Sequence, residues 1–158
     1  MKLSIRTMGA EDLAAVMAIE QGVPEAPHWS RHAYEDCTKA DTTGGLKRTG
    51  LVAEVNGQVG GFAVLKLVAD VCELESIVVS GEFRERGVGR ALVEASSAWA
   101  CAMGASRLEL EARASNQVAI EFYRRLGLQV EGRRPRYYAD PVEDALLMGK
   151  SLSGPAQT

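Results

Sequence analysis

Cys72-Glu-Leu-Glu-Ser-Ile-Val-Val-Ser-Gly-Glu-Phe-Arg-Glu-Arg-Gly-Val-Gly-Arg-Ala-Leu-Val-Glu94 runs from an apolar strand through a polar turn into a helix. Leu74 to Val79 has the length and apolarity of a buried strand. Gly81 to Arg86 is a turn. From Gly87 onward Val88, Ala91, Leu92, Ala95, Ala98, Trp99 and Ala102 recur at spacings of three and four. That spacing predicts a helix over 87–103, ended by Gly104. Such a turn makes an anion site. Gly87 and Gly89 allow close approach to the backbone. The first N–H groups of the helix have no internal partner and lie at the positive end of its dipole, where a pyrophosphate fits. Arg84, Arg86 and Arg90 add charge that can pair with phosphate.

On the C-terminal side, Arg107 to Glu111 reads as a strand, with Leu108 and Leu110 on one face and Glu109 and Glu111 on the other. Strand 72–79, helix and strand 106–111 form a crossover unit with parallel strands. Ser115 is the expected cap of a helix from Gln117 to Leu126, closed by Gly127. Leu128–Arg134 and Ala145–Lys150 are the last strands, and 151–158 is expected to be a disordered tail. On the N-terminal side, Leu3–Met8 is a strand and Glu11–Glu20 a helix ended by Gly22. Pro24 and Pro27 interrupt the chain, and Ser30 can cap a second helix through Cys37. Residues 39–49 read as a mobile loop. Leu51–Val55 and Gln58–Leu67 are strands joined by Asn56-Gly57, a strong hairpin signal. Gly60 and Gly61 suggest a bulge or a close neighbour. The order β-α-α-β-β-β-α-β-α-β-β describes a mixed α+β domain over 1–150, with a central, mostly antiparallel sheet flanked by helices.

Composition narrows the function. The chain has 158 residues, enough for one domain with a real core, and a hydrophobic fraction of 46% suits a globular protein. A net charge of −3 gives no general affinity for nucleic acid. No apolar run approaches the ~20 residues that span a bilayer. Cys37, Cys72 and Cys101 fit neither a disulfide framework nor a zinc site, which points to a reducing cytoplasm and no metal.

Two common phosphate motifs fail at the turn. A P-loop needs Gly-Lys-Ser/Thr, but Gly89 is followed by Arg90-Ala91; a dinucleotide fingerprint needs a third glycine, but position 92 is Leu. What remains, Arg84-x-x-Gly87-x-Gly89, resembles the acetyl-coenzyme A signature of the GCN5-related N-acetyltransferases (GNAT). Leu110-Glu-Ala-Arg-Ala-Ser-Asn-Gln-Val-Ala-Ile-Glu-Phe-Tyr-Arg-Arg-Leu-Gly-Leu128 is similar to a run of the bacterial ribosomal-protein-alanine acetyltransferases, the RimI group. Tyr137-Tyr138 followed by Glu143-Asp144-Ala145 resembles that group's ending, and Pro27-His28-Trp29-Ser30 its Pro-Trp-Ser element. The likeness covers nearly the whole chain. Departures are the inserted His28, Leu128 in place of Phe, and Glu75 where an apolar residue is usual.

The resemblance implies the GNAT fold, acetyl-coenzyme A as cosubstrate and no metal. It places the catalytic base at Glu111; an ion pair with Arg113 or Arg133 is the competing role. Glu75, by strand parity with Ile77 and Val79, is the second candidate base or a ligand for the acceptor's amino group. Tyr123 is the candidate acid for the coenzyme A thiolate. The backbone of Ile77, Val78 and Val79 is expected to pair with pantetheine, and Arg84, Glu85, Arg86, Gly87, Val88, Gly89 and Arg90 to cradle the pyrophosphate. Asn116 matches a residue that contacts pantetheine, though Asn also favours helix starts. Trp29, Tyr137 and Tyr138 are candidate walls of a peptide site. The implied acceptor is a protein N-terminus, the N-terminal alanine of a ribosomal protein, attacked in a ternary complex by a monomer or weak homodimer. An acidic channel would instead suit small polyamines; a lysine side chain or a non-catalytic acyl-coenzyme A sensor are further alternatives.

Overall fold

The computed structural model describes residues 1–24, 26, 29–39 and 46–152. Parts of three expected features therefore lie outside the described residues: the Pro27-His28 break, positions 40–45 of the expected loop, and 153–158 of the expected tail.

The elements follow in the anticipated order: β1 (Leu3–Thr7), α1 (Leu13–Gln21), α2 (Arg31–Asp36), β2 (Leu46–Val55), β3 (Gln58–Val68), β4 (Val71–Val79), α3 (Val88–Ala102), β5 (Arg107–Arg113), α4 (Gln117–Arg125), β6 (Gln129–Ala139) and β7 (Val142–Ser151). All seven strands join one sheet in the order β1-β2-β3-β4-β5-β7-β6. Every pairing is antiparallel except β4 with β5. Strand boundaries differ from expectation in three places. β6 runs on past Arg134 to Ala139 and β7 begins at Val142 rather than Ala145, since Tyr138 and Ala139 pair with Glu143 and Val142. Residues 46–50 are the first half of β2, facing β3, and not loop. Ser151 closes β7 opposite Arg107 and is not tail.

Local chemistry accounts for the boundaries. Ser30 accepts from Ala33 N–H and caps α2. Asn56 and Gly57 both take positive φ, 53° and 83°, as a tight hairpin requires. Gly60 is the extra residue where the register slips between Ala53–Gly61 and Glu54–Val59. A Cβ on Gly61 would stand 2.9 Å from the Val78 carbonyl oxygen, so this close approach of β3 to β4 admits only glycine.

Two apolar layers form, one on each face of the sheet. On one face Leu92, Val93 and Ala100 of α3 and Ile120 and Tyr123 of α4 pack on Ala63, Leu65, Leu74, Leu108 and Leu110. On the other, Leu13 and Val16 of α1 and Tyr34 of α2 pack on Val52, Phe62, Val64 and Val78. Each fully buried Leu, Val or Phe contributes roughly 1.5–3 kcal/mol. Among the described residues no helix is long and apolar enough to cross a membrane.

The entry to α1 is held by charge. Asp12 is buried; its oxygens accept from the Arg6 guanidinium at 2.7 and 2.8 Å and from Gly9 N–H at 2.7 Å. The Arg6 hydrogen bonds hold the Asp12 carboxyl below its ordinary 3.8. A depressed carboxylate stabilises the fold above its unfolded pKa, and that contribution is lost as pH falls through the folded value. Acid unfolding of the wild type should therefore steepen below about pH 4, and Asp12→Asn should flatten that limb in urea melts across pH. Gly61→Ala should lower unfolding free energy by about 1–3 kcal/mol. Gly81→Ala, whose added Cβ would meet nothing within 4 Å, should leave the same denaturation midpoint unmoved.

Candidate active site

β4 and β5 pair only from Val71–Glu73 against Arg107–Glu109. Beyond that point β4 runs on to Val79 and β5 to Arg113 without pairing, and a wedge opens between them. On its other side β4 stays paired, Ile77 to Ala63, Val78 to Phe62 and Val79 to Gly61. The backbone groups of Ile77, Val78 and Val79 that face the wedge have no strand partner there. An amide-bearing chain laid in the wedge could pair with them as a strand does.

The expected anion cradle sits at the top of this wedge. Gly87 takes φ 82° as the N-cap of α3, and no side chain caps the helix. The first helical bond runs from Ala91 N–H to the Gly87 carbonyl at 3.0 Å. The N–H groups of Val88, Gly89 and Arg90 thus have no intrahelical partner. Arg84, Glu85 and Arg86 are exposed, and Glu85 also holds positive φ, 61°. A Cβ on Gly87 would meet nothing, whereas one on Gly89 would come 3.3 Å from Phe122. Gly87 is thus required by backbone conformation and Gly89 by packing. An uncapped helix start beside three exposed arginines fits a pyrophosphate.

A second bulge corrects the parity expected of Glu75. The β3–β4 register passes from Val64–Ser76 to Leu65–Leu74, so Glu75 is the extra residue. Cys72 and Leu74 face α3, and after the bulge Ile77 and Val79 do. Glu75 points to the opposite face, where Arg48 grips it at 2.7 and 3.2 Å and Lys66 stands 3.8 Å away. The Glu75 hydrogen bonds raise the Arg48 pKa.

Glu111 lies on that same face, on the part of β5 that has left β4 but stays paired to β7, with its side chain 16% exposed. It borders a cleft of about 170 Å³ shared with Glu73, Glu109, Glu131 and Arg134. Its ion-pair partner is Arg134, at 3.6 Å, and neither of the two arginines expected. Arg113 instead holds Glu143 at 3.2 Å and lies over the Tyr138 ring at 4.2 Å, while Arg133 holds Asp144 at 2.7 Å. Tyr137 and Tyr138 meet edge to face, centroids 5.1 Å apart. The Tyr137 phenol is pushed up, first by its hydrogen bond to Glu111. The structure thus gathers Glu111, Tyr137 and Tyr138 at one mouth.

Tyr123 approaches from the other face. It is 9% exposed within the α3/α4 layer, and burial pushes its phenol up to about 12. The charge next felt is that of Tyr138, which in turn feels Glu111. A buried phenol that keeps its proton well above neutrality lies on one face of the sheet, and a carboxylate on the other. Asn116, not Ser115, caps α4, with Oδ1 accepting from Ala119 N–H at 3.2 Å. Ser115 N–H donates to Glu143 at 2.7 Å. Trp29 is half-buried on the α1/α2 layer, 5.7 Å from the Tyr34 ring, and its N–H donates to buried Glu20 at 2.8 Å. It packs against the α1/α2 layer. Sequence reasoning missed Arg48, Arg134 and Glu143, because their partners lie 27, 23 and 28–30 positions away and leave no local pattern. Among the described residues no group of three His, Cys, Asp or Glu could hold a metal.

The model of the acetyltransferase (GNAT) family matches residues 13–128, from α1 through the wedge and α4. The chain belongs to the GNAT family. The ribosomal protein bS18-alanine N-acetyltransferase of Escherichia coli K12 is 32% identical over 152 residues, 95% of this chain and 98% of that one. The crystal structure of an E. coli ribosomal-protein-S18-alanine N-acetyltransferase superposes with a TM-score of 0.80 at 29% identity, covering 99% of each chain. That of Ard1 from Thermoplasma volcanium gives 0.81 at 25% identity over 97% of this chain and 99% of that one. The mixed α+β fold with its mostly antiparallel sheet is therefore the GNAT fold. The GNAT chain described here is an N-acetyltransferase that uses acetyl-coenzyme A as cosubstrate.

Because Asn116 caps α4, Asn116→Ala should cost about 1 kcal/mol while Asn116→Asp keeps the cap. Urea denaturation of both variants, with the acetyl-coenzyme A KM of each, separates the helix role from any contact with the cosubstrate.

Proposed function

We propose that this enzyme acetylates the free α-amino group of a protein, the N-terminal alanine of a ribosomal protein, by direct attack in a ternary complex. The observation that carries the chemistry is the placement of Glu111 and Tyr123 on opposite faces of the sheet that the wedge divides. The full-length similarity to an enzyme named for ribosomal protein bS18 alanine supports the acceptor.

Pantetheine runs along Ile77, Val78 and Val79, with the pyrophosphate on Arg84 to Arg90 and the thioester in the wedge. A backbone N–H near Val79 polarises the thioester carbonyl. An α-amino group, with a pKa of about 8 against about 10.4 for lysine, needs little help to lose its proton at neutral pH. Glu111 takes that proton, directly or through water. The amine nitrogen bonds to the thioester carbon and gives up its second proton to water, and the carbon–sulfur bond breaks as the tetrahedral intermediate collapses. Tyr123 gives its proton to the leaving thiolate and recovers one from solvent. Glu75, neutralised by Arg48, serves as a fixed part of the wall rather than as base. Tyr137 and Tyr138 line the acceptor's path.

One observation favours a second reading, a small cationic amine as acceptor: four glutamates border the cleft. Three are already matched. Lys66 is 3.4 Å from Glu73, and Arg107 pairs with both Glu109 and Glu131. That leaves less free negative charge than the lining suggests.

The test is thiol release from acetyl-coenzyme A with three acceptors: a hexapeptide with free N-terminal alanine, an N-terminally blocked peptide containing lysine, and spermidine. Turnover on the first alone is expected; turnover on spermidine alone would overturn the protein acceptor. Glu111→Gln and Tyr123→Phe should each lower kcat by about 10²-fold or more with little change in the acetyl-coenzyme A KM.

A further inference from the structure

Glu111 shares its cleft with three other carboxylates: Glu73 from β4, Glu109 from its own strand and Glu131 from β6. Like charges in one cleft repel one another unless cations answer them. The cations that answer the other three are committed elsewhere, Lys66 to Glu73 and Arg107 to Glu109 and Glu131. Arg113, two residues further along β5, is taken up by Glu143 and the Tyr138 ring. β7 presents only Leu147 opposite Glu111. The remaining titratable neighbours are the phenols of Tyr137 and Tyr138. That leaves Arg134, the one cation among the described residues lining the cleft, with Nε 3.6 Å from Glu111 Oε1.

The place of Arg134 is built into β6. It pairs with Ala145 at the last regular position before the register slips between Arg134 and Tyr138. The slip throws Pro135, Arg136 and Tyr137 out of the ladder, and Arg136 takes φ 53° to allow it. As a result the Tyr137 ring lies 5.6 Å from the Arg134 guanidinium. The same irregularity thus brings a cation and a phenol to one carboxylate.

We propose that Arg134 is a positioning residue for acetyl transfer, holding the Glu111 carboxylate charged and turned to the acceptor mouth. The proposal rests on Glu111 being the base. Without Arg134 the base faces only like charges and neutral phenols, so its ionised form is disfavoured. Arg134 is 56% exposed, so solvent screens part of the effect.

The experiment is the pH dependence of kcat/KM, with the free-N-terminus hexapeptide, for wild type, Arg134→Gln, Arg134→Lys and Glu111→Gln. The peptide's own ionisation is common to all four, so differences belong to the enzyme. Arg134→Gln should move the acidic limb up by on the order of half a pH unit. Arg134→Lys should return most of it, and the acetyl-coenzyme A KM should stay put as a check on folding. An Arg134→Gln profile lowered uniformly with its limb unmoved would overturn the proposal. So would a rise in acceptor KM with the limb in place, which would assign Arg134 to substrate binding. Wild-type turnover and an unchanged acidic limb in Glu111→Gln would show that the base itself was misassigned, whatever Arg134 does.

Discussion

β4 and β5 stay together for three residues and then part, and the site depends on that parting. The last paired residues are Glu73 and Glu109, two like charges side by side on parallel strands. Such a pair weakens a ladder rather than extending it. Lys66 and Arg107 match the two carboxylates well enough for the pairing to form. The bulge at Glu75 follows at once and re-aims β4. A sheet that stayed closed here would have no backbone to offer a thioester-bearing chain.

An open seam exposes polar backbone, and the fold bears this cost by over-determining what lies on both sides. β4 is pinned by β3 along its whole length, with Gly61 drawn against the Val78 carbonyl. β5 is pinned by β7 along its whole length. Helices α3 and α4 cover one face and α1 and α2 the first half of the other. Among the described residues no helix covers the face over β5, β7 and β6. Paired charges, two tyrosines and Leu147 occupy it, and the proposed acceptor mouth lies there. The unsatisfied groups are therefore concentrated where ligands can satisfy them: the edge of β4 and the uncapped start of α3.

Most of the fold was legible because its signals are local. The stripe from Val88 to Ala102, the Asn56-Gly57 hairpin and the glycine stops each act within a few residues. The glycines of the Arg84-to-Gly89 turn were legible for the same reason. The cap of α4 was misplaced by one position, since Ser115 and Asn116 are both good caps and tertiary contact decides. Glu143 claims the Ser115 N–H, and Asn116 takes the helix. The start of β2 was missed because Leu46 to Gly50 carries polar and glycine residues that become strand only by pairing with β3. Of the proposed site, Glu111 and Tyr123 were singled out through family motifs. Arg134 was not, since nothing near it in sequence names its partner.

Glu75 shows how one inserted residue reassigns a role. By alternation it belongs with Ile77 and Val79, facing the α3 layer. A bare carboxylate in that layer would cost several kcal/mol or be protonated. The bulge turns it to the other face, where Arg48 reaches it from two strands away and Lys66 from the next strand. There the charge is kept, but its lone pairs are spent on the guanidinium, which is what a wall needs and a base does not. Glu111, two residues past the last pairing on an unbulged strand, keeps its parity. It meets a single arginine at a looser 3.6 Å and a phenol. Of the two carboxylates beside the wedge, the less firmly held is the one able to exchange a proton with an incoming amine. The bulge therefore leaves two similar side chains unequally held without any difference in residue type, which is what the proposed assignment of the base to Glu111 rests on.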